Sequence, residues 1–335
     1  MYNSTIIGTG YYVPENIVTN DDLSKLMDTS DEWIRERTGI EQRRFATRGK
    51  DTTTSMGVRA AERAIEKAKI NKEDIDFLIF ATLSPDYYFP GCGVLAQKEL
   101  GLGTIGALDI RNQCSGFVYA LSVADQFIKT GMYKNILVIA SEMQSPALDL
   151  TTRGRNMAVL FGDGAGAVVL SRTTQEGKGI LSSHLHSEGA YAEELAIVTP
   201  GVGKKWVTDL IKENDPEDTS YYPYMNGQFV FKNAVVRFSE VIMEGLKANN
   251  LTEGDIDLFI PHQANLRISQ FIQQKFKLSD AQVFNNIQKY GNTTAASIGI
   301  ALAEAVEQGR VKENDLLVLA AFGSGFTWGS VVIRY

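Results

Sequence analysis

Apolar positions along this chain recur with two periods. In "DIDFLIFATLS" (74–84) they run unbroken for the length of a strand, as suits a strand buried on both faces. In "TTTSMGVRAAERAIEKAKI" (52–70) a polar start leads to Ala60, Ala64, Ile65 and Ala68 at helical spacing. "STIIGTGYYVP" (4–14), "KNILVIASE" (134–142) and "GAGAVVLSR" (164–172) read as strands. "VYALSVADQFIKTG" (118–131) reads as a helix closed by Gly131. Strand and helix patterns alternate, so the spacing predicts an α/β core.

The pattern also repeats. "KAKINKEDIDFLIFATLS" (67–84) is echoed by "KANNLTEGDIDLFIPHQA" (247–264), and "YALSVADQFIKTGMYKNILVIASE" (119–142) by "IGIALAEAVEQGRVKENDLLVLAAFG" (298–323). Both echoes lie about 180 residues apart, roughly half the 335-residue chain. We therefore expect two similar α/β halves, 1–173 and 174–335, joined at the hydrophilic "SRTTQEGKG" (171–179). The segment 199–224, with "KENDPED" and "YYPY", reads as an excursion over a cleft or surface.

Composition narrows the class. With 44% hydrophobic and 22% charged residues the chain is globular, and a net charge of −7 argues against a broad nucleic-acid surface. Two cysteines make no disulfide framework. The N-terminus reads as no signal peptide, and no apolar run has membrane-spanning length, so a cytoplasmic protein without membrane insertion is expected.

Cys114 stands out because "DIRNQCSGF" (109–117) places it where the apolar helix begins. Unpaired N–H groups there favour a thiolate and predict a lowered thiol pKa; a buried, inert thiol is the other reading. Cys92, with no counterpart in the repeat, reads as structural. His262, in "IPHQANLRI" (260–268), directly follows a strand; it could donate to an oxyanion, accept a proton, or be a satisfied core histidine. Asn292, in "YGNTTAAS" (290–297), is either an N-cap or a neutral oxyanion donor. Overlaying the halves brings Cys114 near Asn292–Thr294, so the three groups are expected to gather at strand ends and helix starts. His184 and His186 share a strand face, but no third metal ligand is evident. "FGDGAGAVVL" (161–170) leads into a strand, not a helix, and is rejected as a dinucleotide loop.

Taken together, "TSDEWIRERTGI" (29–40), "CSGFVYAL" (114–121), "LFGDGAGAVVL" (160–170), "MNGQFVFK" (225–232), "PHQANLRI" (261–268), "GNTTAAS" (291–297) and "FGSGFTWG" (322–329) resemble the thiolase-fold condensing enzymes. More narrowly, the whole chain is similar to β-ketoacyl-acyl carrier protein synthase III. The resemblance implies a thiolase-like α-β-α-β-α layering with pseudo-twofold halves and a Cys114, His262, Asn292 triad. It implies an oxyanion hole from the Cys114 and Ser324 backbone N–H groups. Trp33 and Arg155 would flank a coenzyme A adenine, Arg37 and Arg267 would lie at the pantetheine entrance where carrier protein docks, and Asn265 and Phe231 would line the channel. Phe89 would reach across a homodimer interface into the partner's acyl pocket.

The implied reaction is acyl transfer from acyl-coenzyme A to Cys114, followed by decarboxylative condensation with malonyl-acyl carrier protein to begin a fatty acid. Coenzyme A thioester is then substrate, and no cofactor or metal is needed. Against the family pattern, 199–224 looks long and Ser324 stands where glycine is common. A related enzyme joining or transferring unusual acyl chains in secondary metabolism would use the same triad. A degradative thiolase would want a second cysteine in the C-terminal glycine-rich turn, and "FGSGF" has none. A silent binding subunit would not need all three groups, and a nicotinamide dehydrogenase lacks its loop.

Overall fold

The computed structural model describes residues 2–199, 201, 203 and 218–335. Most of the 199–224 excursion expected above therefore lies outside the described residues.

In chain order the strands are β1 (Asn3–Tyr12), β2 (Ile17–Thr19), β3 (Gln42–Arg44), β4 (Phe77–Ala81), β5 (Gly106–Ile110), β6 (Asn135–Glu142), β7 (Gly164–Thr173), β8 (Gly179–Ser187), β9 (Leu195–Ala196), β10 (Tyr224–Met225), β11 (Leu258–Pro261), β12 (Leu316–Gly323) and β13 (Thr327–Arg334). Two sheets dominate. The first has the order β1-β7-β6-β4-β5 and the second β8-β13-β12-β11. In each the last strands run parallel, β4 with β5 and β6, β11 with β12, and the first pairings are antiparallel. β4 thus answers to β11 and β6 to β12, as the sequence echo predicts. A lone parallel bridge from Phe259 to Val283 marks the place of β5 in the second sheet.

Between the sheets lie the helices Gly116–Lys129 and Ala296–Glu307, whose side chains join both sheets in one apolar core that includes Phe117, Leu121, Ile298 and Leu302. Every residue from Ala296 to Ala305 is buried, as a helix covered on all sides requires. Backbone meets backbone here: a Cβ on Gly166 of β7 would come 2.4 Å from the Gly299 carbonyl carbon. Helices Thr53–Ala68 and Cys92–Leu100 contact the first sheet, and helix Gly227–Ala248 contacts the second. The first of these starts with a capping box in which Thr52 and Ser55 satisfy each other's backbone N–H groups. The parallel strands' C-terminal ends, where ligands collect in α/β sheets, carry the segments of interest.

Candidate active site

Cys114 lies in a one-turn 3₁₀ segment, Gln113–Ser115, immediately ahead of its helix. The glycine that follows lets the turn sit deep. A Cβ on Gly116 would lie 3.2 Å from the Ala295 Cβ of the second half and 3.4 Å from that of Ala81. Across the sulfur stands the end of β12, where a Cβ on Gly323 would approach the Cys114 Cβ to 2.8 Å. Only glycine allows the "FGSGF" turn to come this close. The left-handed conformation in that turn falls on Gly325 (φ 132°), so Ser324 is accommodated, and its hydroxyl donates to the Leu195 carbonyl. The Ser324 and Cys114 backbone N–H groups are both directed at the sulfur.

The thiol itself does not behave as the sequence suggests. Burial, reinforced by the negative charge of Glu142, pushes Cys114 up to about 12, and the two N–H groups oppose this without overcoming it. The lowering expected of a helix terminus is corrected in direction: burial raises the thiol instead. Desolvation outweighs the helix end because Cys114 is only 8% exposed. Cys92 is likewise buried and pushed up to about 11, in keeping with a structural role.

His262 follows β11, where its backbone N–H donates to the Ala320 carbonyl at 2.8 Å. Its Nδ1 lies 2.6 Å from the Ser297 hydroxyl oxygen, which also accepts the Gln263 N–H at 3.3 Å. The contact accommodates the tautomer in which that hydroxyl donates to Nδ1 and the ring proton sits on Nε2. Burial pushes the imidazole down to about 3, and it is neutral at ordinary pH. Of the two roles left open by the sequence, the geometry favours the Nε2–H donor. In the reaction that the sequence resemblance implies, Ser297→Ala is expected to release the tautomer and slow decarboxylation roughly tenfold, about 1–2 kcal/mol, with self-acylation changed less; separate assays of the two half-reactions check this.

Asn292 is not an N-cap. Its backbone N–H donates to Leu160 O at 2.8 Å and its carbonyl accepts from Gly162 at 3.1 Å. Its side-chain oxygen accepts the Thr294 N–H at 2.9 Å, which leaves the amide NH₂ free to donate. Arg43, fully buried, braces this junction by donating to Val159 O and Asn20 Oδ1, each at 2.7 Å.

These groups converge. One cavity of about 110 Å³ is lined by Cys114, His262 and Asn292 together with Gly323, Phe231 and Asn265. A second, of about 430 Å³, shares Cys114 and is lined by Ser324, Phe161, Leu195, Met143 and Arg111 among others. Cys114 therefore sits where two chambers meet. Near the first cavity Asn265 caps helix Leu266–Lys275, accepting the Arg267 N–H at 2.9 Å, and donates to Arg37 O at 3.0 Å. The Arg37 and Arg155 guanidinium carbons lie 4.7 and 5.4 Å from the Trp33 ring centre. Arg155 also donates to the Asp28 carbonyl at 2.5 Å. Arg267 is exposed, and Phe89, 81% exposed, lines neither cavity within this chain. His184 and His186 both reach Glu244, at 3.3 and 2.6 Å.

Family models for 3-oxoacyl-[acyl-carrier-protein] synthase III match residues 108–189 and, for its C-terminal part, 246–335. A β-ketoacyl-[acyl-carrier-protein] synthase III of Alkalilimnicola ehrlichii is 46% identical over 100% of both chains. The chain belongs to the 3-oxoacyl-[acyl-carrier-protein] synthase III family. It is a condensing acyltransferase with the thiolase fold, of the type that performs the initiating condensation of fatty acid synthesis. A synthase III of Vibrio vulnificus is 44% identical, covering 99% of each chain. The crystal structure of the synthase III from Aquifex aeolicus superposes with a TM-score of 0.90 at 44% identity, covering 99% of this chain and 100% of the other.

Sequence reasoning missed three residues in this synthase III site. Ser297 gave no signal beyond its place in "GNTTAAS". Arg43 gave no signal to set it apart from the chain's other arginines. Glu142 did leave a trace, as a carboxylate closing the apolar run "NILVIASE".

Proposed function

We propose that the enzyme loads an acyl group from acyl-coenzyme A onto Cys114 and condenses it with malonyl-acyl carrier protein. The reading is carried by one observation: Cys114, His262 and Asn292 line a single cavity. The sulfur attacks the thioester carbonyl while the Cys114 and Ser324 N–H groups hold the tetrahedral oxyanion. The proton lost by the thiol is the one gained by the departing coenzyme A sulfur, so the step is proton-neutral. Malonyl thioester then enters, and His262 Nε2–H and the Asn292 amide donate to its carbonyl. The enolate left by loss of CO₂ is stabilised, and its carbon attacks the acyl-cysteine, giving a 3-ketoacyl thioester and expelling the Cys114 thiolate, which takes one proton from solvent to restore the thiol. Decarboxylation drives the reaction, which calls for no redox cofactor or metal.

Residues 1–173 thus supply the nucleophile and 174–335 the two donors. In this reading Trp33 and Arg155 receive the coenzyme A adenine. The Arg155 guanidinium, now over the Trp33 ring and tied to Asp28, must swing aside to admit it. Phe231 and Asn265 line the pantetheine channel, and Arg37 and Arg267 at its mouth meet the acidic carrier protein. The protein works as a cytoplasmic homodimer in which Phe89, unpacked in one chain, covers the partner's acyl chamber. Arg267→Glu is expected to raise the KM for malonyl-carrier protein about tenfold and leave that for acyl-coenzyme A unchanged, as steady-state kinetics would show.

The deciding experiment offers acetyl-, medium-chain and long-chain coenzyme A in turn. Intact mass reports the adduct on Cys114, and malonyl-carrier protein is then added and the product identified. A 3-ketoacyl-carrier protein is expected; a dominant product of another class would defeat the assignment.

A further inference from the structure

We propose that Arg43 is a positioning residue: buried where the two halves meet, it fixes the stretch Val159–Gly162 on which Asn292 is held, and so sets the aim of the Asn292 amide during decarboxylation. The inference rests on the proposed function, in which that amide donates to the malonyl thioester carbonyl.

Arg43 lies in β3 and is fully buried, and its three acceptors are all neutral. Nη1 donates to Asn20 Oδ1 at 2.7 Å and to Val18 O at 3.3 Å, and Nη2 donates to Val159 O at 2.7 Å. Among the described residues its Nε has no hydrogen-bond partner. A cation stripped of water and offered only neutral acceptors stabilises a fold less than an apolar side chain of similar volume. Stability is therefore a poor account of an arginine here, whereas its contacts lead directly to the reaction.

From Val159 the chain runs into Leu160–Gly162, and that stretch is the partner of Asn292. The Asn292 N–H donates to Leu160 O at 2.8 Å, the Gly162 N–H donates to Asn292 O at 3.1 Å, and Phe161 and Asn292 form a parallel bridge. Asn292 itself lies between the helices Ile287–Tyr290 and Ala296–Glu307, so these bonds place its backbone. Arg43 acts on the pairing from both sides. Its guanidinium holds Val159 O, and its stem packs behind the adjoining glycines: a Cβ on Gly162 would lie 3.1 Å, and one on Gly291 3.3 Å, from the Arg43 Cβ. Gly162 belongs to the first half of the chain and Gly291, next to Asn292, to the second.

The other arm of the guanidinium leads to the channel mouth. Asn20, which accepts from Arg43, donates through Nδ2 to Asp31 Oδ1 at 2.8 Å. Asp31 opens helix Asp31–Thr38, which carries Trp33 and Arg37, and Val159 directly follows the short helix Arg155–Ala158. The elements assigned to coenzyme A and the stretch that holds Asn292 thus meet on one planar fork. A lysine could bond one of these acceptors but has no such fork.

The test assays malonyl thioester decarboxylation and acylation by acyl-coenzyme A separately, in the full-length protein, as a double-mutant cycle with Asn292→Ala. Arg43→Met is expected to slow decarboxylation roughly 10–100-fold, as a donor misplaced by about 1 Å would, with acylation changed much less. Arg43→Lys, which keeps the charge without the fork, should fall between Met and wild type. In the Asn292→Ala background the same substitutions should change decarboxylation by no more than about twofold, because the group they misplace is gone. An arginine that only held the fold together would lower both half-reactions alike and would add its cost to that of Asn292→Ala; either result overturns the proposal. So does an Arg43→Met enzyme that decarboxylates at the wild-type rate. If the Arg43 variants do not fold, Asn20→Ser leaves the arginine in place and loosens its grip. It should show the same split by a smaller factor, and equal losses there overturn the proposal too. Hydrogen exchange separates this inference from the function it rests on. Either Arg43→Met or Asn20→Ser should speed exchange of the Gly162 and Asn292 N–H groups, and unchanged exchange overturns the inference alone. Faster exchange, in a protein whose wild type forms neither acyl adduct nor 3-ketoacyl product, would remove the proposed function and leave the placement of Asn292 by Arg43 standing.

Discussion

Cys114→Ser is expected to eliminate the covalent acyl adduct and to lower condensation by at least roughly 10³-fold. The substitution changes little else. Oxygen replaces sulfur in a buried turn, and the Cys114 and Ser324 N–H groups remain in place. What disappears is a nucleophile whose anion is attainable. The thiol, pushed up to about 12, already lies at the edge of what attack on a thioester can draw out, and an alcohol in the same dry site lies well beyond it. Intact mass after exposure to acyl-coenzyme A would show the unmodified chain, and product formation would fall to background. Thermal unfolding should be nearly unchanged, separating lost chemistry from lost structure. Normal condensation by this variant would rule out the covalent route.

His262→Ala and Asn292→Ala should divide the reaction. Each removes one donor to the malonyl thioester carbonyl, and the loss of such a donor costs about 2.7–4 kcal/mol, or 10²–10³ in rate. Decarboxylation is therefore expected to collapse in either variant while self-acylation, served by the backbone N–H groups, survives to a greater extent. Radiolabelled acyl transfer and CO₂ release measured separately would reveal the split; equal losses in both would contradict it. Because burial holds the imidazole down to about 3, the wild-type decarboxylation rate should show no acid limb near the ordinary histidine value of about 6.5. The folded state resists protonation there while the unfolded chain accepts it. The His262 contribution therefore weakens stability as pH falls from the unfolded value toward about 3 and restores it as pH rises.

Much of this architecture was legible because burial on both faces leaves a plain mark. Phe77–Ala81 and Leu316–Gly323 are entirely buried strands, and their sequences are unbroken apolar runs. The repeat was readable for the same reason, since corresponding strands and helices keep the same environment in both sheets. The three groups that line one cavity stood out by rarity and placement: a cysteine before an apolar helix, a histidine after a strand, an asparagine among small residues.

Ionisation was not legible in this way. The sequence places Cys114 at a helix start and so suggests a thiolate, yet the helix end counts for less than the water removed by Gly323, Ala295 and the facing sheet. The tautomer of His262 depends on Ser297, 35 residues away, and the charge near the sulfur on Glu142, which meets donors from 60 residues before it to 153 after. Local pattern determined the sheets and the doubled architecture and singled out Cys114, His262 and Asn292 as candidates, because each follows from neighbours along the chain. Only the tertiary structure decided protonation and aim, because dielectric and hydrogen-bond partners are set by whatever distant segments fold against a group.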